Sequence, residues 1–274
     1  MRFDEIGAWS EIKLEVIRKY ASAYSTIFSA RSQHHFHHIY IDAFAGPGFH
    51  RSRSTGGFVA GSPMHALRVV PPFREYHFID LESNKVEALR ELAAGRDDVH
   101  IYQGDCNEIL LEEILPAVRF ADYKRALCLL DPYGLHLRWE VMRTAGTLRT
   151  VDMLLNFPVA DMNRNILWRN PEGVDPADIA RMNAFWGDES WRQVAYRPQP
   201  TLFGEIEQEK TDNATIAEAF RHRLRDAGGF GFVPPPLAMR NSNGAIVYYL
   251  FFASQNATAE RIIRDIFRGH GGRG

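Results

Sequence analysis

Cysteine is scarce in this 274-residue chain. The only two, Cys106 and Cys128, are far apart and fall in apolar, core-like stretches. That excludes a disulfide framework and fits the reduced thiols of a cytoplasmic protein. No long uninterrupted apolar run occurs, so no membrane span is expected. The opening residues, Met1-Arg2-Phe3-Asp4-Glu5, lack the apolar core of a secretion signal. An excess of one charge is also missing: 32 basic residues stand against 34 acidic ones, a net charge of −2. Such a chain exerts no global attraction on phosphates, so a nucleic acid would need a local patch or a partner protein. No Gly-Lys-Ser/Thr sequence follows a glycine turn, which argues against a nucleotide hydrolase or kinase. Internal repeats and long linkers are absent too. The 45% hydrophobic content is ordinary for a globular protein, and one domain spanning residues 1–274 is expected.

The most informative stretch present is His38-Ile39-Tyr40-Ile41-Asp42-Ala43-Phe44-Ala45-Gly46-Pro47-Gly48. Its β-branched and aromatic residues suit a short buried strand. Asp42 then ends the strand, and Gly46 and Gly48 remove side chains where the backbone turns or lies against a ligand. The pattern is Asp-x-Phe-x-Gly-x-Gly. It is not the Gly-x-Gly-x-x-Gly of dinucleotide enzymes. Taken alone it also suits a surface turn after a core strand.

Three later segments repeat the design. Tyr76 to Ile79 runs into Asp80-Leu81-Glu82 and a helical pattern, Val86, Leu89 and Leu92. An acid ending the second strand suits bidentate hydrogen bonding to ribose hydroxyls. Val99 to Gln103 runs into Gly104-Asp105-Cys106-Asn107, which suits a loop beneath an adenine ring. Ala126 to Leu130 runs into Asp131-Pro132-Tyr133-Gly134, delivering an acid, a rigid proline and an aromatic ring to one place. Each acid taken singly is equally well explained as a helix cap. Four in register are harder to explain that way.

This arrangement resembles the S-adenosylmethionine-dependent methyltransferases, and more narrowly the three-Cys-motif partner proteins, the TcmP family. The resemblance rests on Tyr40 to Gly48, Gly61-Ser62-Pro63, Phe78 to Glu82, Gly104 to Asn107, Asp131 to Leu135, Asp152 to Pro158, Phe185-Trp186-Gly187 and Trp191. It spans most of the chain, from Trp9 to about residue 268. It implies an α/β, Rossmann-like methyltransferase fold: a mostly parallel sheet, an antiparallel C-terminal hairpin strand and a small helical insertion. It implies S-adenosylmethionine as cofactor, held by Asp42, Ala43, Phe44, Gly46, Gly48, Asp80, Leu81, Asp105 and Cys106. It also implies a three-Cys-motif protein as partner, one that resembles iron–sulfur radical enzymes.

Elsewhere the pattern is more ordinary. Residues 8–30 carry Trp9, Ile12, Val16, Tyr20, Tyr24 and Ile27 at helical spacing. They read as a helix packed over the sheet, with Lys13 and Lys19 able to reach the cofactor mouth. His34-His35-Phe36-His37-His38 invites a metal. Adjacent strand residues face opposite ways, however, and no Cys or carboxylate is obviously paired with them, so no metal site is expected. Residues 49–60 form an insertion, a mobile flap or a disordered loop. Ser62 reads as an N-cap with Pro63 at the first helical position. Residues 159–210 mix Trp168, Trp186 and Trp191 with five arginines. They read either as a helical cap packing its tryptophans inward or as a surface that stacks bases and holds phosphates. Asp212 to Ala227 and Thr258 to Phe267 read as helices. Asn243-Gly244 marks a hairpin, and the tail 269–274 is expected to be disordered.

Methyl transfer from a sulfonium is an in-line displacement that needs donor and acceptor aligned in a dry site. Many amine-directed methyltransferases use an [Asp/Asn/Ser]-Pro-Pro-[Tyr/Phe] turn. Asp131-Pro132-Tyr133-Gly134 sits where that turn belongs but lacks the second proline. Asn156-Phe157-Pro158 offers related chemistry one strand later. The expected catalytic set is therefore Asp131, Pro132, Tyr133 and Asn156, acting on a base of RNA or DNA that is flipped out or single-stranded. The alternative is a binding subunit that keeps the fold but serves the three-Cys partner.

Overall fold

Seven stretches rich in β-branched, leucine and aromatic residues form one sheet in the computed structural model, which describes residues 5–30, 36–53, 55–200 and 206–271. They are β1 (His37–Asp42), β2 (Glu75–Asp80), β3 (Val99–Gln103), β4 (Lys124–Leu130), β5 (Val151–Phe157), β6 (Leu237–Arg240) and β7 (Ile246–Ala253). The spatial order is β6-β7-β5-β4-β1-β2-β3. β1 to β5 run parallel. β7 lies antiparallel to both β5 and β6. This is the expected mostly parallel α/β sheet with an antiparallel hairpin. The chain steps from β1 outward through β2 and β3, then returns on the other side of β1 with β4. That reversal opens a crevice at the carboxyl ends of β1 and β4, where ligands bind in open α/β sheets.

Alternating side chains separate two cores. Ile39, Ile41, Ala126, Cys128 and Leu130 face one layer. It includes α4 (Trp139–Leu148), α6 (Pro176–Trp186) and α7 (Asn213–Asp226). Tyr40, Leu127 and Leu129 face the other. There lie α1 (Ala8–Ala30), α2 (Ser62–Leu67), α3 (Ser83–Leu92) and α8 (Ala257–Arg268). Each α1 residue Val16, Ile17, Tyr20, Ala21 and Tyr24 is buried, so the helical stripe read from the sequence is the face that covers the sheet.

The insertion after the glycine turn is ordered, contrary to the loop expected. Phe49–Ser52 and Phe58–Ala60 pair antiparallel, and Glu5–Ile6 adds a parallel strand. Glu5–Ile6 pairs across more than forty residues, and the two short hairpin strands leave little local signal in an Arg- and Ser-rich stretch. Ser62 does not cap α2; Gly61 holds that position, and the Ser62 side chain turns instead to Asp42. In the 159–210 region α5 (Val159–Asn165) follows β5, and Tyr196–Pro200 pairs with Ile206–Lys210. Trp186 and Trp191 pack inward, whereas Trp168 is 43% exposed. Of the tail, His270 is buried near Lys19, and residues 272–274 lie outside the described residues. His34 and His35 lie outside them too. His37 bonds Glu75 and His38 bonds Ser25, on opposite faces as alternation dictates.

Candidate functional site

A cleft of about 310 Å³ opens at the carboxyl edge of β1, β2 and β3. Its lining includes Ala43, Phe44, Asp80, Leu81, Asp105, Cys106 and Tyr133 from the expected set, and also Glu82, Lys85, Gly104 and His136. The volume is at the small end of the range for ligand sites, roughly 300–1,000 Å³. Asp80 is its hinge point. Oδ2 accepts the Gly46 N–H at 2.9 Å, and Oδ1 accepts the Glu82 N–H at 2.9 Å. One carboxylate thus ties the β1 turn to the start of α3. Each oxygen keeps a further lone pair for a ligand. Beside it Leu81 is 71% exposed and Tyr133 72% exposed. Lys85 extends over the Tyr133 ring at 5.6 Å and pairs with Glu82 at 2.7 Å. The cleft therefore combines a fixed hydrogen-bond acceptor with flat apolar surfaces.

Asp105 serves differently. It is the N-cap of the short helix Cys106–Ile109, and its Oδ1 accepts the Asn107 N–H at 2.7 Å. Asn107, buried, donates from Nδ2 to the His136 carbonyl and accepts the Arg138 N–H. It is the strut that holds the loop after β4 against the loop after β3, a role the sequence did not reveal. Burial pushes the Cys106 thiol up to about 12, so it is a wall rather than a nucleophile.

Asp42, Gly46, Gly48, Asp131, Pro132 and Asn156 are not in the lining of this cleft. Gly46 has φ +64°, and its N–H is spent on Asp80. Gly48 has φ +85°, and a Cβ there would meet Leu92 Cδ2 at 2.8 Å. Both glycines serve the turn and its packing. Asp42 is wholly buried under the turn, where burial, then the neighbouring Asp131 charge, outweigh the Ser62 hydroxyl and push its carboxyl up to about 7.

The remaining residues meet beside Asp42. Lys13 from α1 donates to Asp131 Oδ2 at 2.5 Å, with side chains 11% and 23% exposed. Its ammonium also lies 5.3 Å from the Tyr248 ring centroid. Lys13 thus reaches Asp131 and is not in the lining of the cleft, and Lys19 pairs with Glu15. Asn156 Nδ2 donates to the Pro132 carbonyl at 3.2 Å. Asp161 on α5 approaches so closely that a Cβ on Gly134 would stand 3.0 Å from its Oδ2. Tyr40 Oη, Asp42 Oδ2, Asn156 Oδ1 and Asp161 Oδ2 are buried oxygens without a hydrogen-bond partner. Such groups are rare in folded proteins and mark places where a ligand or water completes the bonding. Asp161 escaped the sequence reading because nothing but the fold brings it to the Asp131 turn. Among the described residues, no group of three His, Cys, Asp or Glu is placed to hold a metal ion, and no helix is long and apolar enough to cross a membrane.

No family model matches the chain, and no curated protein matches it. Solved structures are similar to it at low identity. One, a protein from Legionella pneumophila, is 11% identical over 93% of this chain and 90% of that chain, with a TM-score of 0.48. A putative methyltransferase from Thermobifida fusca is 13% identical over 91% of this chain and 80% of that chain, at a TM-score of 0.44. A putative S-adenosylmethionine dependent methyltransferase from Listeria monocytogenes is 13% identical over 81% of this chain and 92% of that chain, at a TM-score of 0.41.

Proposed function

We propose that this chain is an S-adenosylmethionine-dependent methyltransferase acting on a nucleic-acid base. The observation that carries the reading is the cleft at the strand-order reversal, with Asp80 fixed across two loops between exposed Leu81 and Tyr133. The residues present fit the cofactor. Asp80 offers two lone pairs for vicinal hydroxyls, and Phe44, Leu81 and Gly104 offer an apolar bed for a purine. When bound, the cofactor supplies an electrophilic methyl group on a sulfonium. The chain's own residues then orient the acceptor. Asn156 Oδ1, buried and unpartnered while Nδ2 is held by Pro132, is the acceptor for an exocyclic amine N–H. Asp131 stands beside it, paired with Lys13, and Tyr133 offers a face for base stacking.

Calorimetric titration with S-adenosylhomocysteine, followed by labelled methyl transfer to bulk RNA and DNA, tests the reading. Absence of cofactor binding defeats it. One observation favours the second reading, a binding subunit for a three-Cys-motif protein: Asp131 is already engaged by Lys13. Binding of S-adenosylhomocysteine with no transfer to any nucleic acid, alone or with that partner, selects the second reading. The narrower TcmP resemblance stands on the sequence motifs.

A further inference from the structure

A second groove, about 810 Å³, lies at the opposite end of the sheet. It is bordered by the amino ends of β4 and β5 and by Ser254 to Ala257, just past β7. The seven-residue β4 separates it from the carboxyl-edge cleft, a span of roughly 20 Å. We propose that this groove binds a phosphorylated nucleoside, free or as one residue of a single strand, independently of the methyl-donor reading.

Aromatic and cationic groups alternate along its wall. The Arg125 guanidinium sits 4.1 Å from the Phe120 ring centroid and 5.2 Å from that of Phe36. Phe120 is 65% exposed, and Tyr123 stands edge-on to Phe36 at 6.0 Å. An exposed ring backed by a guanidinium is a surface on which a base stacks. The lining also holds Arg149, just before β5, whose guanidinium makes no hydrogen bond or ion pair among the described residues. The twelve-residue helix α8 begins in the lining, at Ala257, so its positive end adds to the same field. The one acid in the lining, Asp152, is spoken for: its two oxygens accept the Tyr20 and Ser254 hydroxyls. The lining thus sets two guanidinium groups against one carboxylate.

Backbone strain points to the same place. Tyr123 and Arg149 are the only non-glycine residues among those described with positive φ, at 55° and 59°. Each ends a helical segment in the left-handed conformation, where glycine is the usual residue. Arg149 lines this groove, and Tyr123 packs edge-on against Phe36, which lines it. Side chains retained where glycine is easier signal a use for those side chains.

The test titrates adenosine monophosphate, adenosine, inorganic phosphate and a ten-nucleotide single-stranded RNA into wild type, Arg149→Gly, Phe120→Ala and Leu81→Ala. Wild type is expected to bind the monophosphate better than either adenosine or phosphate alone. Arg149→Gly should weaken it by about tenfold or more, as loss of a charged hydrogen bond does, with a melting temperature unchanged or raised because the strained backbone is relieved. Phe120→Ala should weaken it by about fivefold or more through lost stacking. Leu81→Ala removes any share of the binding that belongs to the carboxyl-edge cleft, and the share that Arg149→Gly weakens should survive it. A strand bound more than tenfold tighter than the monophosphate identifies single-stranded nucleic acid as the source; equal affinity identifies a free nucleotide. No binding at millimolar concentration overturns the proposal. So does binding that Leu81→Ala weakens and Arg149→Gly does not, or phosphate binding as well as the nucleotide. Failure of S-adenosylhomocysteine to bind touches none of these outcomes.

Discussion

At the scale of single residues, Asp80 and Asp42 look alike in sequence and do opposite things in the fold. Each ends a parallel strand. Asp80 is half-buried, accepts two backbone N–H groups and lines the cleft as a fixed acceptor. Replacing it with Ala removes the ribose contact and also orphans the buried Gly46 N–H. S-adenosylhomocysteine affinity should fall by roughly 1–3 kcal/mol, and the melting temperature should drop as well. Unchanged affinity by calorimetry in a folded Asp80→Ala protein removes the assignment. Asp42 has no exposure, and burial lifts its carboxyl from 3.8 to about 7. Between those values the folded state holds a proton that the unfolded chain releases. Its contribution to stability therefore falls as pH rises through that window, by about 1.4 kcal/mol per unit. Asp152, pushed up to about 6 by burial, acts in the same direction over a shorter range. His38, lowered by burial, acts the other way. Urea unfolding of wild type and Asp42→Asn at pH 5 and pH 8 isolates Asp42: the variant should gain on wild type as pH rises. A difference that is flat with pH rules out a buried, protonated Asp42. Nothing in the sequence separates these two acids, because burial depends on what crosses above each strand end.

At the scale of elements, α1 was legible as an amphipathic helix, but its partner was not. Its apolar stripe predicts burial against some surface; that the surface includes β4 and the end of β7 follows only from the assembled sheet. The Lys13–Asp131 pair joins residues 118 positions apart and sits beside the Tyr248 ring. With both side chains largely buried, it should be worth more than a surface ion pair. A double-mutant cycle with Lys13→Met and Asp131→Asn is expected to give a coupling on the order of 1–3 kcal/mol in unfolding free energy. A coupling near zero means that α1 is held by its apolar face alone. The hairpin of β6 and β7 was readable because Asn243-Gly244 is a local turn signal, and Gly244 does take φ +77°. The small sheet built from Glu5–Ile6, Phe49–Ser52 and Phe58–Ala60 was not, since its strands are two to four residues long and its third strand comes from more than forty residues away.

For the whole molecule, the strand-order reversal brings both expected sets to one edge of the sheet but divides them. Ala43, Phe44, Asp80, Leu81, Asp105 and Cys106 line the cleft together with Tyr133, whereas Asp131, Pro132 and Asn156 lie beside it with buried Asp42. The sequence order of strands made the edge legible. The division was not legible, because it depends on Lys13, Asn107 and Asp161 arriving from elsewhere in the chain. It also changes which residue should matter most for transfer. Asp131 is already paired with Lys13, while Asn156 presents a fixed, unpartnered Oδ1. If the chain transfers methyl groups, Asn156→Ala should slow transfer by on the order of 10²-fold, with S-adenosylhomocysteine affinity retained. Asp131→Ala should cost less in rate but leave the Lys13 ammonium buried and unpaired, lowering stability. Single-turnover transfer with labelled donor, run beside thermal melts of each variant, separates the two. A larger rate loss in Asp131→Ala than in Asn156→Ala, at equal stability, would return the acceptor-orienting role to the aspartate and make the Lys13 pair a contact that opens before substrate enters.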